Sequence, residues 1–545
     1  MPDTSTGVVV IGGGSTGAGV LRDLALRGID AVLVEKGDLA SGTTGRSHGL
    51  LHSGGRYCVN DEQAAIECVE EGRILRRIAR SMVEDTGGYF VSVTEEDHAW
   101  EPRFVEGCRR TGITCERISV DEARRREPSL SRHVRTAFWV PQDGHLDPFF
   151  LVVGNVESAR RRGGRVMTHA EVTGFLRDGK RVTGVRVRDA KTNEETSIGC
   201  QAVINATGAW AGFVARLLAV EVKVVPVKGT MVVLSRRIAY AAINRCHKPG
   251  DGDIVVPGLS VSILGTTSAK VPHPETLPIE WDEVRRMIEE GALMLDGVST
   301  ARTMRAYAGV RPLYDLGAEA EGREMSRNFA VIDHEERDGI KGFTSIVGGK
   351  VTTYRLMAER VVDVVARRLG VTTPCTTAEV PLNDREDPLD QLRHRPSVLG
   401  VPKPHSDELP LQPLLCECEL VRPQDAAPWF KDPAVRDLED VRRRTRAGMG
   451  PCQAAICSYR LAARLVTDRD IDGPNATRAM ADFLETRWRG VRHVFWGSQL
   501  RQTQVTTAMH LELFNVDRQL MGQLPPPGDR GGSSAAEPAA VAGQR

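Results

Sequence analysis

A glycine-rich turn near the N-terminus restricts the fold of this chain more than any other feature of the sequence. The run VVVIGGGSTGAG places Gly12, Gly14 and Gly17 in the spacing GxGxxG, between apolar residues 8–11 and a helical periodicity over residues 18–27. The first glycine of this spacing allows a tight turn, the second lets a phosphate approach the backbone, and the third lets the helix pack closely on the strand. The pattern predicts the strand, turn and helix of a dinucleotide-binding βαβ unit.

The segments that follow the turn support a dinucleotide and favour FAD over NAD. Glu35 ends a second apolar run, 31–34, at the distance from Gly17 where an acidic side chain binds the ribose hydroxyls. Both cofactors use this fingerprint, so it does not separate them. INATGAWA at 204–211 pairs a strand with a turn of small residues, and SIVGGKVTTYRLMAE at 345–359 ends a strand in two glycines before a helix. Amide groups at such a helix start can stabilise negative charge on a reduced isoalloxazine ring.

Composition excludes several classes of protein. Lys and Arg number 72, and Asp and Glu also number 72, so no overall positive charge recruits nucleic acid. Eleven cysteines in 545 residues are too few for a disulfide framework. No segment has the ~20 apolar residues of a membrane-spanning helix, and the N-terminus lacks the features of a signal peptide. We therefore expect a cytoplasmic protein with no nucleic-acid partner, whose contact with a membrane is peripheral or through a partner.

Three motifs resemble the FAD-dependent glycerol-3-phosphate dehydrogenases, a family within the glycine/D-amino-acid oxidase superfamily. They are SHGLLHSGGRY at 47–57, RAYAGVRPL at 305–313 and GGKVTTYRLMAE at 348–359. With the cysteine module near the C-terminus included, the chain from about residue 7 to about residue 500 is similar to the anaerobic, quinone-linked branch of this family. The resemblance implies an α/β fold with an FAD-binding Rossmann-type domain, an inserted α+β substrate domain and a small helical [2Fe-2S] domain at the C-terminus.

The expected domain boundaries follow changes in composition. The FAD-dependent oxidoreductase domain covers 1–375, with FAD-binding segments at about 1–85, 145–220 and 325–375 and substrate-domain segments at about 86–144 and 221–324. A linker rich in Pro, Asp, Arg and His covers 376–412, the cysteine module covers 413–470 and a helical segment covers 471–522. The last residues, 523–545, are rich in Pro, Gly, Ser and Ala, which predicts a disordered tail.

The resemblance also assigns residues to the FAD and substrate sites. Those expected at FAD are Gly12, Gly14, Gly17, Glu35, Thr43, Ser47, His48, Ala206, Thr207, Gly208, Gly348, Gly349 and Lys350. Those expected to bind substrate are Arg56, Tyr57, Thr266, Thr267, Arg305, Arg311 and Lys350. A phosphomonoester needs compact cations, and a guanidinium group holds phosphate through two hydrogen bonds. A single arginine is more often a solvated surface charge, so the motif context is what favours Arg56, Arg311 and Lys350, while Arg305 has the weakest support.

The reaction requires a base, and His52 is the candidate. Oxidation of a secondary alcohol moves a hydride from carbon to the flavin while a base accepts the hydroxyl proton. His52 lies in LLHSGGRY, its imidazole can be neutral near pH 7, and the adjacent glycines allow close approach. A structural histidine would fit the same pattern. We expect His52, Arg56, Arg311 and Lys350 to be the catalytic residues.

Four clustered cysteines form two close pairs. Cys416 and Cys418 stand in CEC, and Cys452 and Cys457 stand in CQAAIC at an expected helix start. Four thiolates can hold either zinc or an iron–sulfur cluster. A zinc ribbon usually has two CxxC pairs, whereas this arrangement resembles the bacterioferritin-associated-ferredoxin-like domain in its flavoenzyme-fused form, which binds a [2Fe-2S] cluster. Zinc and an empty relic of the site are the alternatives.

The resemblance implies that the chain oxidises sn-glycerol 3-phosphate to dihydroxyacetone phosphate. It further implies that electrons pass from FAD through the [2Fe-2S] centre and two partners, a small flavin-containing protein and a membrane-attached iron–sulfur protein, to a quinone. The chain is then expected at the inner face of the cell membrane, held there by its partners. Two alternatives remain, an amine or amino-acid dehydrogenase on the same plan, which would recognise a carboxylate, and a non-catalytic electron-transfer subunit.

Overall fold

The computed structural model describes residues 2–314, 328–382 and 413–517. The expected linker lies mostly, and the expected disordered tail entirely, outside these residues. The strands are β1 (Thr4–Ile11), β2 (Ala31–Val34), β3 (Leu50–Leu51), β4 (Val83–Glu84), β5 (Gly88–Ser92), β6 (Glu116–Ile118), β7 (Thr136–Val140), β8 (Gly144–Leu146), β9 (Arg165–Met167), β10 (Ala170–Asp178), β11 (Arg181–Asp189), β12 (Glu195–Asn205), β13 (Val224–Leu234), β14 (Ala242–Arg245), β15 (Ile254–Gly258), β16 (Val261–Gly265), β17 (Ala269–Lys270), β18 (Thr303–Tyr314), β19 (Phe329–Asp333) and β20 (Phe343–Gly348).

The α-helices cover the sheets and build the C-terminal region. They are α1 (Ser15–Leu26), α2 (Glu62–Ile78), α3 (Glu95–Thr111), α4 (Val120–Arg126), α5 (Pro148–Arg160), α6 (Ala211–Arg216), α7 (Trp281–Met294), α8 (His334–Asp338), α9 (Tyr354–Arg368), α10 (Pro423–Lys431), α11 (Leu438–Thr445), α12 (Cys457–Arg469), α13 (Gly473–Val491) and α14 (Gly497–Ala508). None of the described helices is both long enough and apolar enough to span a bilayer.

The first sheet carries the glycine-rich turn. Its strands run in the order β10, β11, β12, β1, β2 and β9, and β20 joins it by pairing with β12 and with β19. β1 lies parallel to both β2 and β12, so the carboxyl ends of these three strands meet at one edge. Val8 and Val10 of β1 are fully buried under α1, α5 and α9. The turn after β1 therefore opens at the edge where α/β sheets bind their ligands.

The second sheet comes from segments inserted between those of the first. Its order is β17, β13, β16, β15, β14, β5, β7 and β6, and β18 pairs with β13 along most of its length. The pairing of β13 with β18 is antiparallel. Helix α7 covers this sheet by burying Val284 and Met287 in its core. These two sheets confirm the predicted fold class, an α/β domain with an inserted α+β domain.

The C-terminal helices have a core of their own. Phe430 of α10, Leu438 of α11, Leu461 of α12 and Phe483 of α13 are buried together. Each of these helices has one apolar side, and the four sides meet because none of them could bury its apolar residues alone. This region confirms the expected helical domain at the C-terminus.

Candidate active site

The glycine turn has the geometry of a dinucleotide cradle. Gly12 adopts a φ of +110°, which side chains other than glycine rarely allow. A Cβ at Gly17 would lie 1.8 Å from the carbonyl oxygen of Gly12, so a glycine there is what lets α1 approach the turn. Gly14 precedes α1 and lines the cavity described below. Carboxylate oxygens of Glu35 accept hydrogen bonds from the backbone amides of Gly13 (2.6 Å) and Gly37 (2.8 Å), which fixes this side chain beside the turn.

One cavity of about 1560 Å³ joins this cradle to the second sheet. It exceeds the ~300–1000 Å³ of ordinary small-molecule pockets, as a dinucleotide together with a substrate requires. The sequence-predicted residues that line it are Gly12, Gly14, Glu35, Thr43, Ser47, His48, His52, Arg56, Tyr57, Ala206, Thr207, Gly208, Thr266, Arg311, Gly348, Gly349 and Lys350. The structure therefore brings together, around one cavity, residues from all five motifs that carried the resemblance and the cofactor prediction.

Three predicted residues do not line the cavity. Gly17 lies behind the turn, where it serves the close packing expected of it. Thr267 uses its hydroxyl to bond the backbone amide of Thr230 and a carboxylate oxygen of Glu283, so only its backbone faces Arg311. The assignment of Arg305 to the substrate site needs correction, because its guanidinium group reaches the C-terminal region instead. There it donates to Gln453 (3.1 Å) and packs on Gly490 of α13.

The guanidinium group of Arg311 is held in place at the cavity. Its Nη1 donates to the carbonyl oxygen of Lys228 (3.3 Å), and its Nη2 donates to the carbonyl oxygen of Thr267 (3.0 Å) and to the hydroxyl of Thr266. Gly229 lies beneath it, and a Cβ there would come within 2.8 Å of Nη2. A guanidinium group that is already ordered loses little conformational freedom when it binds an anion.

Aromatic and cationic side chains share the same end of the cavity. The ring of His52 lies between those of His48 and Tyr57, with centroid distances of 5.8 Å and 5.4 Å. The Nζ atom of Lys350 lies 5.1 Å from the centre of the Tyr57 ring. These contacts place the candidate base beside two rings that can form hydrogen bonds, one of which also contacts a cation.

His48 is held in its neutral form. Burial, followed by the charges of Arg311 and Arg56, lowers the pKa of His48 to about 3. Its Nδ1 accepts a hydrogen bond from the backbone amide of Leu50 (3.1 Å), which assigns the ring proton to Nε2. His48 is therefore a hydrogen-bond donor in the cavity and carries no charge near pH 7.

Asp253 is a residue of the site that sequence reasoning missed. Its Oδ2 pairs with Nη2 of Arg56 at 2.5 Å, and both side chains are buried at the cavity. The two residues are 197 positions apart, so no local pattern joins them. The nearby signal that could have pointed to it was the acidic turn DGD at 251–253. This pair positions the Arg56 guanidinium group and offsets part of its charge.

The four clustered cysteines come together in the C-terminal region. Their sulfur atoms form a chain of contacts from Cys416 to Cys457, then to Cys452 and to Cys418. Hydrogen bonds from Cys418 and Cys457 hold the pKa of Cys452 below its usual range. A Cβ at Gly450 would lie 2.2 Å from Cβ of Cys418, so a glycine lets the two loops meet.

Backbone amides lie beside two of these sulfur atoms. The Cys457 thiol and the backbone amides of Gly448 and Glu419 lower the pKa of Cys416. The thiols of Cys418 and Cys457, followed by the backbone amides of Ile456 and Ala454, lower the pKa of Cys452. Such donors stabilise thiolates and other negative charge. Four soft sulfur ligands, two of them beside backbone amides, fit an anionic metal centre, and a [2Fe-2S] cluster is one such centre.

The cysteine region packs directly on the dinucleotide-binding domain through buried ion pairs. Arg444 holds Asp38 through two hydrogen bonds of 2.7 Å, and Arg443 adds a third of 3.1 Å. His169 and Asp440 make a second link of 2.8 Å. Asp38 and Asp440 are buried, so these contacts belong to the interior of the molecule. Composition had indicated a linker between the oxidoreductase domain and the cysteine module, but it gave no sign that the two pack against each other.

Comparison with known proteins identifies the family. The family model for the FAD dependent oxidoreductases matches residues 7–355. The chain belongs to this family. It is 44% identical over 543 residues to one subunit of the anaerobic glycerol-3-phosphate dehydrogenase of Haloferax volcanii, covering 94% of this chain and 91% of the relative. It is 39% identical over 533 residues to the corresponding subunit of the enzyme from Escherichia coli K12, covering 94% and 98%.

Solved structures of other FAD-dependent oxidoreductases share the fold. The glycerol-3-phosphate dehydrogenase of Bacillus halodurans, solved in complex with FAD, aligns with a TM-score of 0.58 at 20% identity over 94% of this chain and 95% of that one. Glycine oxidase of Bacillus cereus aligns with a TM-score of 0.55 at 22% identity over 67% of this chain and 98% of that one. Similarity at this level of identity establishes the fold, and the glycine cradle of this oxidoreductase fits FAD as its cofactor.

Proposed function

We propose that this FAD-dependent oxidoreductase oxidises sn-glycerol 3-phosphate to dihydroxyacetone phosphate. The observation that carries the proposal is the single cavity, which joins the dinucleotide cradle to Arg56, Arg311 and Lys350. A substrate with one phosphate and two hydroxyl groups matches this set of donors. The names of the Haloferax volcanii and Escherichia coli relatives support the same substrate.

Each of the three cations is proposed to bind the substrate in a different way. Arg311 presents a preordered guanidinium group for the phosphate, because a planar fork bonds two phosphate oxygens at once. Lys350 is a compact charge beside Tyr57, suited to a hydroxyl or phosphate oxygen. Arg56, held by Asp253, is the third donor. Together these groups orient C2 of the substrate and exclude water from it.

His52 is proposed to accept the hydroxyl proton. The C2–H bond breaks, the O–H proton passes to the His52 imidazole, and a C=O bond forms at C2. FAD, when bound, supplies the acceptor for the hydride, which carries both electrons of the broken C–H bond. Neutral His48 can donate its Nε2 proton in a hydrogen bond to an oxygen of the substrate or cofactor. Glu35 and the turn at Gly12 hold the cofactor end of the cavity.

The four cysteines are proposed to hold a [2Fe-2S] centre. Such a centre carries one electron at a time, which suits delivery of electrons to another protein. Both relatives are named as single subunits of an enzyme, which supports further subunits here. We infer that these are a small flavin-containing protein and a membrane-attached iron–sulfur protein that pass electrons to a quinone. The chain then works in the cytoplasm at the inner face of the membrane.

Anaerobic titration of the purified chain with sn-glycerol 3-phosphate tests the oxidation step. We expect the flavin absorbance to bleach with one equivalent of substrate and acid extraction to release free FAD. Glycine and D-amino acids serve as comparison substrates, and faster bleaching with them would favour an amino-acid dehydrogenase. Bound FAD that no substrate bleaches would favour a non-catalytic role in electron transfer and would contradict the proposal.

A further inference from the structure

Buried arginines lie beside the four-cysteine site. Arg487 of α13 is buried and donates from Nη2 to Oε1 of Gln453 (2.7 Å), the residue that follows Cys452. Arg305 of β18 donates from Nη1 to the same oxygen at 3.1 Å. Within the part of the chain that the structure describes, the Nε atoms of both arginines are buried without a hydrogen-bond partner. Two guanidinium groups therefore share one neutral acceptor.

A nearby carboxylate, that of Glu439, offsets part of this charge. Glu439 is buried close by, but Arg442 already binds it at 2.6 Å. Burial and the charges of Arg305 and Arg442 hold the pKa of Arg487 well below its usual value, and the charge of Glu439 opposes this shift. A buried cation is costly unless a negative charge offsets it. Glu439, which Arg442 already binds, therefore offsets only part of the charge of Arg487.

The cysteine site lies next to these arginines. Arg487 and Arg305 bind Gln453, which follows Cys452 in the chain. Arg302 donates from Nη2 to the carbonyl oxygen of Pro451, which precedes Cys452 (2.9 Å). Three guanidinium groups are therefore held against the backbone segment that carries Cys452. Four thiolates around two irons and two sulfides leave a net negative charge in both oxidation states of the centre.

We propose that Arg487 is a positioning residue for electron transfer, whose buried charge raises the reduction potential of the centre held by the four cysteines, with Arg302 and Arg305 adding to the effect. Reduction adds one electron, and so one negative charge, to the centre. A buried cation stabilises this reduced form more than the oxidised form. A higher potential favours one-electron transfer out of reduced FAD. The inference rests on the proposed [2Fe-2S] centre.

Anaerobic redox titration of the whole chain, followed by the paramagnetic signal of the reduced centre, tests the proposal. Arg487→Met removes the charge and keeps the length of the side chain, and Arg487→Lys keeps the charge. Arg489→Met is the matched control, because Arg489 lies on the same helix but is exposed, and water screens its charge. Arg302→Met is a second charge deletion at the site, in case Arg487→Met does not fold.

We expect Arg487→Met to lower the ratio of reduced to oxidised centre at the wild-type midpoint about tenfold, which is ~59 mV for a one-electron centre. This is the size expected when one unit charge is removed on the order of 10 Å away at an effective dielectric constant of about 20. Arg487→Lys and Arg489→Met should keep the wild-type midpoint, and Arg302→Met should shift it in the same direction as Arg487→Met.

Two results would overturn the inference in distinguishable ways. Unchanged midpoints in Arg487→Met and Arg302→Met, with iron and acid-labile sulfide retained, would show that these charges do not set the potential, and would leave the proposed function intact. One zinc and no iron in the wild-type chain after anaerobic preparation would remove the [2Fe-2S] centre itself. Flavin bleaching by substrate would still be measured separately in that case.

Discussion

Replacing Arg311 should weaken substrate binding more than replacing any cation outside the cavity. The Arg311 guanidinium group faces the cavity and is fixed by two backbone carbonyls and the hydroxyl of Thr266. Because the group is already ordered, most of its interaction energy with a phosphate is available for binding. Arg311→Met removes the charge and both donors of the fork, and a methionine of similar length fills part of the space.

The expected size follows from the kind of bond that is lost. A charge-assisted hydrogen bond contributes about 1.5–3 kcal/mol, which corresponds to a rise in KM of about tenfold to somewhat over a hundredfold. Gly229→Ala tests the same group without removing it, because the new Cβ would lie 2.8 Å from Nη2 and 3.0 Å from Cζ of Arg311. Gly229 is paired with Gly309 in the sheet, so the guanidinium group must move instead of the strand. We expect Gly229→Ala to raise KM by a smaller factor, about tenfold, because it displaces the guanidinium group of Arg311 without removing it.

Steady-state kinetics with a dye acceptor and sn-glycerol 3-phosphate would measure both effects. The control is Arg285→Met, since Arg285 is exposed on α7 and pairs with Glu289 of its own helix. FAD content and thermal unfolding should be measured for each variant, to separate binding from folding. An Arg311→Met chain that keeps its FAD and has a KM within about twofold of wild type would refute the role given to Arg311.

Three further predictions concern stability, protonation and electron flow. Asp38→Asn should lower the free energy of unfolding by about 3–5 kcal/mol in urea titrations, because it leaves the buried charge of Arg444 unpaired; an effect under 1 kcal/mol would contradict this. His48, with its pKa near 3, should show no titration between pH 5 and 8 by NMR of labelled histidine, and its resonance should titrate at higher pH in Arg311→Met. Because an unfolded histidine has a pKa of ~6.5, the unfolded chain binds the extra proton, and the contribution of His48 to stability falls as pH drops from 6.5 towards 3. Cys452→Ser should abolish or alter the signal of the reduced centre while substrate still bleaches the flavin; loss of bleaching with the signal intact would reverse the proposed order.

Local patterns predicted the geometry of the glycine turn and the place of Glu35 beside it. The GxGxxG spacing reports a turn whose geometry depends on the glycines themselves, and Gly12 has the positive φ that the spacing implies. Glu35 lies beside the turn because the two parallel strands end at the same edge. Such features need only neighbouring residues and one strand pairing. Asp253, whose partner Arg56 is 197 positions away, depends on the whole fold, and no local pattern reports that.

The misassignment of Arg305 has a simple geometric cause. Arg305 and Arg311 stand in one motif and are six positions apart on β18, so alternation places them on the same side of the strand. At ~3.3 Å per residue, however, they are separated by roughly 20 Å along it. Arg311 reaches the cavity, whereas Arg305 reaches Gln453 in the cysteine region. The motif indicated a shared face but could not show how far along the strand the site extends.

The same strand connects the cavity with the four cysteines. Arg311 at one end of β18 lines the cavity, and Tyr307 in the middle donates from its hydroxyl to the carbonyl oxygen of Ser47 (2.8 Å), which also lines it. Arg305 near the other end holds Gln453, the neighbour of Cys452. A strand paired along its length to β13 is rigid, so it fixes the separation of the cavity from the four cysteines. The proposed electron transfer depends on that separation, and a cysteine module attached only through a flexible linker would not maintain it.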